Sequence, residues 1–154
     1  MTLASDFIGA WQLVDWTVNM PGKPERRPYG SKPSGHIIYS SDGLMSATFM
    51  AEGRKELGAS RSDLPVLIPK AVAAIKSGQL DPLANAFFFS AITFTGYCGS
   101  YSVKNGQVIH HVETALIQDW VGTDLIRFFE FDADRLILSA EEDGIVDRLV
   151  WQRR

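Results

Sequence analysis

The sequence predicts an all-β domain: an eight-stranded, antiparallel, up-and-down barrel with a short helical insert between the third and fourth strands. Three observations lead there. From Thr93 to Trp151 the chain alternates between strand and turn, with Asn105-Gly106 and Asp143-Gly144 at two of the turns; these dipeptides are the strongest short hairpin signals. Three more extended segments lie between Phe7 and Met50. Between the two sets the apolar residues switch to helical spacing. Three strands before the insert and five after it make eight, the number at which a closed antiparallel sheet can just hold one small ligand.

The elements run in order. Phe7 to Met20 alternates well enough for one long strand, with Phe7, Gly9, Trp11, Leu13, Asp15 and Thr17 on one parity and Ile8, Ala10, Gln12, Val14, Trp16 and Val18 on the other. Both parities carry apolar side chains, so both faces are expected to be partly covered. Pro21 to Ser34 holds four prolines and two glycines and reads as a loop, because proline denies a ladder its N–H. Gly35 to Ser40, a turn at Asp42-Gly43 and Leu44 to Met50 form the next hairpin. Ala51 to Arg61 is polar and irregular. The insert, about 62–90, contains two short helices. Ser62-Asp63 offers caps, Pro69 suits a first turn, Ala71, Val72, Ala74 and Ile75 come at helical spacing, and Gly78 ends the first helix. Asp81-Pro82 starts the second, which continues through Leu83, Ala86, Phe87 and Ser90. The five closing strands are Phe94 to Lys104, Gln107 to Gln118, Thr123 to Phe131, Arg135 to Ala140 and Ile145 to Gln152.

Composition narrows the function. A chain of 154 residues, 45% hydrophobic and 21% charged, is expected to form one domain over residues 1–154 with a sizeable core. A net charge of −3 with scattered basic residues argues against nucleic acid, which needs a basic face to displace counterions. The single Cys98 forms no internal disulfide. Met1 to Met20 lacks a basic leader and is interrupted by Asp6 and Asp15, unlike a signal peptide, and no apolar run is long enough to span a bilayer. The expectation is a soluble, cytoplasmic protein with no membrane partner.

Several residues are candidates for chemistry. On the fifth strand Val108, His110, Val112, Thr114 and Leu116 share one face, and Ile109, His111, Glu113, Ala115 and Ile117 the other. The first set is more apolar, so the simple reading turns it inward. The opposite reading turns in His111 and Glu113, a histidine beside a carboxylate and hence a proton shuttle in form. Alternation leaves the choice open. On the sixth strand Arg127 shares a face with Phe129 and Phe131, which suits an inward charge orienting a ligand's carboxylate, enol or phenol, or an arginine snorkelling from the rim. Tyr97 and Tyr39 either pack in the core or present hydroxyls to a cavity. Trp16 and Trp120 suit a cavity mouth. No metal site is expected: His110 and His111 face opposite sides of a strand, and Cys98 has no Cys-x-x-Cys partner. Phosphate-binding Gly-rich loops and Gly-x-Ser-x-Gly are absent, and no cofactor is implied.

Gly9-Ala10-Trp11 resembles the Gly-x-Trp entry motif of lipocalins and related calycin barrels. Pro28-Tyr29-Gly30, Gly35-His36-Ile37-Ile38-Tyr39, Asp42 to Ala47, Tyr97 to Val103, His110-His111-Val112-Glu113, Asp119 to Thr123 with Arg127, and Arg148-Leu149-Val150-Trp151 resemble, in order, the bacterial and fungal lipocalin-like domain family. The resemblance implies a lipocalin-like barrel with a central cavity, in which Trp11 plugs the closed end beneath Arg148. It also marks His111 and Glu113 as motif positions. It does not imply one function, although some relatives sit in natural-product pathways.

Three roles are therefore expected to compete. The first is binding of a small hydrophobic or aromatic molecule in the lumen, with Trp16, Tyr39, His110, Trp120 and Phe129 as contacts. The second is a cofactor-independent isomerase or cyclase acting on a polyketide- or terpenoid-like substrate, with His111, Glu113, Arg127 and Tyr97 as catalytic groups. The third is an interaction role, in which the insert with Phe87-Phe88-Phe89 covers the barrel or a second subunit, giving a homodimer.

Overall fold

The computed structural model describes residues 4–79 and 81–154. They fall into two units, one formed by the residues up to Glu52 with Thr95–Arg154 and the other by Gly53–Phe94. The first is a closed antiparallel barrel of eight strands in sequence order. The strands are β1 (Gly9–Asn19), β2 (Ser34–Tyr39), β3 (Leu44–Met50), β4 (Phe94–Lys104), β5 (Gln107–Ala115), β6 (Asp124–Asp132), β7 (Arg135–Glu142) and β8 (Ile145–Arg153). Both diagnostic turns form as their sequences require. Asn105 and Asp143 take φ of 53° and 51°, each preceding a glycine at 75°, the left-handed pair that matches the twist of a hairpin. β5 ends three residues earlier than expected, because Gln118–Trp120 coils into a 3-10 turn.

Two register shifts decide which side chains face inward. On β1 a bulge between Leu13 and Asp15 leaves Val14 unpaired against β8. Trp11 and Leu13 point inward before it, and Trp16, paired with Leu149, points inward after it. Trp11 and Leu13 of one parity and Trp16 of the other therefore serve a single inner face, while Ile8 and Val14 are exposed. Asp15 is turned outward and pairs with Arg27, Nε to Oδ1 at 3.1 Å. The second shift lies between Cys98 and Gly99 and leaves Glu113 of β5 without a partner on β4. Gly99 makes it possible: a Cβ there would sit 1.9 Å from the His111 carbonyl oxygen.

One end of the barrel is sealed. Trp11 is fully buried and donates Nε1–H to the Phe7 carbonyl at 2.8 Å. Phe7 meets Tyr39, Phe129 and Phe131 edge-on at 5.3, 4.9 and 5.1 Å between ring centroids. The arginine over Trp11 is Arg153, not Arg148. Its guanidinium lies 3.9 Å from the ring centroid and donates to the carbonyls of Ile8 and Asp6 at 3.1 and 2.7 Å. The ladder explains the correction: Arg153 pairs with Trp11, whereas Arg148 pairs with Thr17 and is exposed.

The second unit holds α1 (Leu64–Ser77) and α2 (Pro82–Ile92). The proline of the first turn of α1 is Pro65, and Pro69 lies inside the helix. Asp63 occupies the N-cap position, but its carboxylate accepts from Ser60 rather than from the helix. Gly78 closes α1 at φ 70° and the Asp81 carboxylate caps α2 at the Ala84 N–H. Ala71, Ala74 and Ala84 form the small core of this unit, with Leu83 and Phe87 packed on it. Phe88 and Phe89 are exposed. Among the described residues no helix is long and apolar enough to cross a membrane.

Candidate functional site

The strand register answers the parity question on β5. Val108, His110 and Val112 are buried; His111 is half-exposed and Glu113 exposed. His111 hydrogen-bonds Asp124 and Ser102 on the outer wall. Burying the more apolar set, and hydrating a carboxylate instead of stranding it in a core, decides the face. A lumenal proton shuttle made of His111 and Glu113 does not form.

The lumen instead holds the other histidine. His110 Nε2 lies 2.7 Å from the Tyr39 hydroxyl, and Nδ1 lies 3.0 Å from the Tyr97 hydroxyl. The three groups come from β2, β5 and β4, and Tyr39 also packs edge-on against Tyr101 at 4.8 Å. Burial, then the charge of Arg127 and then that of His111, hold the His110 imidazole down to about 3. A neutral imidazole has one donor and one acceptor nitrogen, so one tyrosine donates to it and the other accepts. Burial also pushes the Tyr97 phenol up to about 12 and that of Tyr39 well above its ordinary range. The cluster is an uncharged, hydrogen-bonded chain.

Arg127 brings charge to the same interior. It alternates inward on β6 with Leu125, Phe129 and Phe131, and its Nη1 donates to the Ile126 carbonyl at 2.9 Å. Among the described residues no carboxylate lies within ion-pair distance of it. A cavity of about 420 Å³ opens beside it, lined by Trp120, Leu125, Arg127, Ala140, Ile145 and Asp147, with Glu142 and Asp143 on the β7–β8 turn. Trp120 links the cavity to the cluster, with its ring 5.9 Å from that of Tyr97 and nearly perpendicular to it. Trp16 donates to Asp147 at 3.0 Å and packs against Tyr29 and Phe49. The cavity lies at the end of the barrel opposite Trp11, where the β5–β6 connection and the β7–β8 turn gather.

Of the expected residues, Tyr39, Tyr97, His110, Arg127, Trp16 and Trp120 thus face one interior. Phe129 does too, but it packs on Phe7 and Phe131 in the floor. Sequence reasoning missed Leu125, Ile145 and Asp147. Their signal was alternation: Leu125 shares parity with Arg127, and Asp147 and Ile145 share it with Trp151. Among the described residues no group of three or more His, Cys, Asp or Glu side chains is placed to hold a metal ion.

A family model described as lipocalin-like domain matches residues 8–154. The chain belongs to the lipocalin-like domain family. Solved structures similar to this lipocalin-like chain include two kinds of protein. An uncharacterized protein from Bacteroides eggerthii is 12% identical, with a TM-score of 0.47, over 97% of this chain and 100% of that one. Two mutants of the fluorescent protein UnaG are 10% and 13% identical, with TM-scores of 0.40 and 0.43, over 98% and 99% of both chains. Among curated proteins none matches the sequence.

Proposed function

We propose that this lipocalin-like barrel binds a small apolar or aromatic molecule carrying an acidic oxygen. The cavity beside Arg127 carries the proposal. Its volume of about 420 Å³ falls within the roughly 300–1,000 Å³ of small-molecule sites. Trp120, Leu125 and Ile145 supply an apolar wall, and Arg127 supplies a guanidinium without a carboxylate partner. An inward charge favours a counter-ion, because an unpaired charge away from water is costly, and a guanidinium suits a carboxylate or phenolate geometrically. Glu142, at the end of β7, and Asp143, on the turn after it, are exposed, where water screens their repulsion of such a ligand, and the half-buried Asp147 carboxylate accepts the Trp16 Nε1–H, which partly offsets its charge.

The same chemistry favours binding over an isomerase or cyclase. Proton abstraction needs a base poised near neutral pH. His110, held down to about 3 and bonded through both nitrogens, is a poor one. Tyr97, pushed up to about 12, stays a neutral phenol bonded to His110 and is no base either.

Fluorescence titration with two probes of one skeleton tests the reading: neutral N-phenylnaphthylamine and anionic anilinonaphthalene sulfonate. Saturable one-to-one binding of both is expected, tighter for the sulfonate and weakened at least fivefold by Trp120→Ala. Absence of saturable binding by either probe contradicts the proposal.

A further inference from the structure

The outer wall carries a second arrangement, independent of the lumen. Three adjacent strands bring Ser102 of β4, His111 of β5 and Asp124 of β6 into one line. Ser102 Oγ lies 2.9 Å from His111 Nε2, and His111 Nδ1 lies 2.7 Å from Asp124 Oδ1. The register produces the line. His111 pairs directly with Asp124 across β5–β6 and with Ser100 across β4–β5, and Ser102 lies two residues along the same face. The site is open to solvent, with the side chains of His111 and Asp124 39% and 56% exposed.

A hydroxyl, an imidazole and a carboxylate joined through opposite ring nitrogens form an activated nucleophile. The carboxylate holds the proton on Nδ1, so the lone pair of Nε2 points at the hydroxyl. The same face supplies an apolar rest for a substrate: Ile109 pairs with Ser102 on one side and with Ile126 on the other, and Phe128 comes next on that face. Ile126 and Phe128 are both exposed.

We propose that Ser102 is a catalytic nucleophile toward small aryl esters, with His111 as its base and Asp124 as a positioning residue. Ser102 Oγ attacks the ester carbonyl carbon while its proton passes to His111 Nε2. Collapse of the adduct breaks the bond to the phenol oxygen, which leaves with that proton. Water, deprotonated by the same imidazole, then attacks the acyl-serine carbonyl carbon, and collapse breaks the bond to Oγ, which takes the proton back from His111 Nε2. The products are the phenol, the carboxylic acid and free Ser102, so atoms and protons balance. Backbone N–H groups inside a sheet are committed to the ladder, so the oxyanion is left to solvent. Base assistance alone gives an acceleration of roughly 10²–10⁴, which confines the activity to esters with good leaving groups.

Hydrolysis of p-nitrophenyl acetate by the full chain, with peptide mapping of acetyl and fluorophosphonate adducts, tests the assignment. Ser102→Ala and His111→Ala are expected to lower the protein-dependent rate at least tenfold with unchanged melting temperature, and both adducts are expected on Ser102. Asp124→Asn should lower kcat several-fold with KM unchanged, Asp124→Glu should recover part of it, and Ser100→Ala should retain the full rate. A rate indifferent to Ser102→Ala, or adducts confined to lysines or other histidines, overturns the proposal. Probe binding in the lumen is unaffected by either result.

Discussion

His110 and His111 are consecutive residues, yet the first lies in the barrel lumen between two tyrosine hydroxyls and the second on the outer wall between a serine and an aspartate. The alternation of a strand is enough to produce the contrast. Their surroundings then assign different physics. His110 is fully buried, and any partner it loses leaves a polar atom without water. His111 is half-exposed, and solvent replaces whatever it loses. The lesson is that a pair of histidines in a barrel strand is two separate sites, one a rigid element of the interior and one an addition to the surface.

The largest expected effect comes from the bulge glycine packed against the His111 carbonyl. Gly99→Ala places a Cβ against the His111 carbonyl oxygen and the Glu113 N–H. Because backbone, not a flexible side chain, must move, it is expected to cost upwards of roughly 3 kcal/mol. Loss of the cooperative thermal transition, or a fall of more than about 6 °C, is the readout. A melting temperature equal to wild type breaks the account of the bulge.

Acid titration comes next. The His110 imidazole is lowered from 6.5 to about 3 in the folded state. Below pH 6.5 the unfolded chain takes up a proton at this site and the folded chain does not. Stability conferred by the neutral imidazole is therefore present above that pH and lost as pH falls toward 3, at ~1.4 kcal/mol per pH unit from this group. Denaturant melts between pH 6.5 and 4 are expected to show a slope shallower by about one proton in His110→Gln than in wild type. Equal slopes contradict a buried, neutral His110.

The hydroxyl partners give a smaller and more direct contrast. Tyr39→Phe deprives His110 of a buried partner and is expected to cost about 1–3 kcal/mol. Ser102→Ala deprives His111 of a surface partner and is expected to stay within about 0.5 kcal/mol. Equal losses remove the distinction. A comparably small effect is that of Asp124→Asn, expected to lower stability by about 0–1 kcal/mol and to respond to added salt.

Much of the fold is legible in the sequence, and the exceptions have a common cause. The hairpins are readable because Asn105-Gly106 and Asp143-Gly144 meet local steric demands that no tertiary contact changes. The inward set of β5 is readable from its greater apolarity. The bulges are harder to read, since one unpaired residue leaves composition unchanged and alters only the parity of the residues beyond it. The trace is present on β1, where Trp11 and Leu13 are odd and Trp16 and Val18 even, a switch that marks an inserted residue. Arg153 displaces Arg148 over Trp11 for the same reason, as the β1–β8 register fixes which arginine meets the ring. Ser102, His111 and Asp124 meet only across strands, so no local motif announces them. Pro69 lies inside a helix, where proline removes a hydrogen bond, because α1 starts at Leu64 and the first-turn proline is Pro65.

Arg127→Met, titrated with the two naphthyl probes, shows whether the cavity beside Arg127 takes an apolar molecule by its acidic oxygen. Affinity for anilinonaphthalene sulfonate is expected to fall at least tenfold while affinity for N-phenylnaphthylamine changes less than threefold. A variant that binds both probes as tightly as wild type, or loses both equally, contradicts that mode of binding.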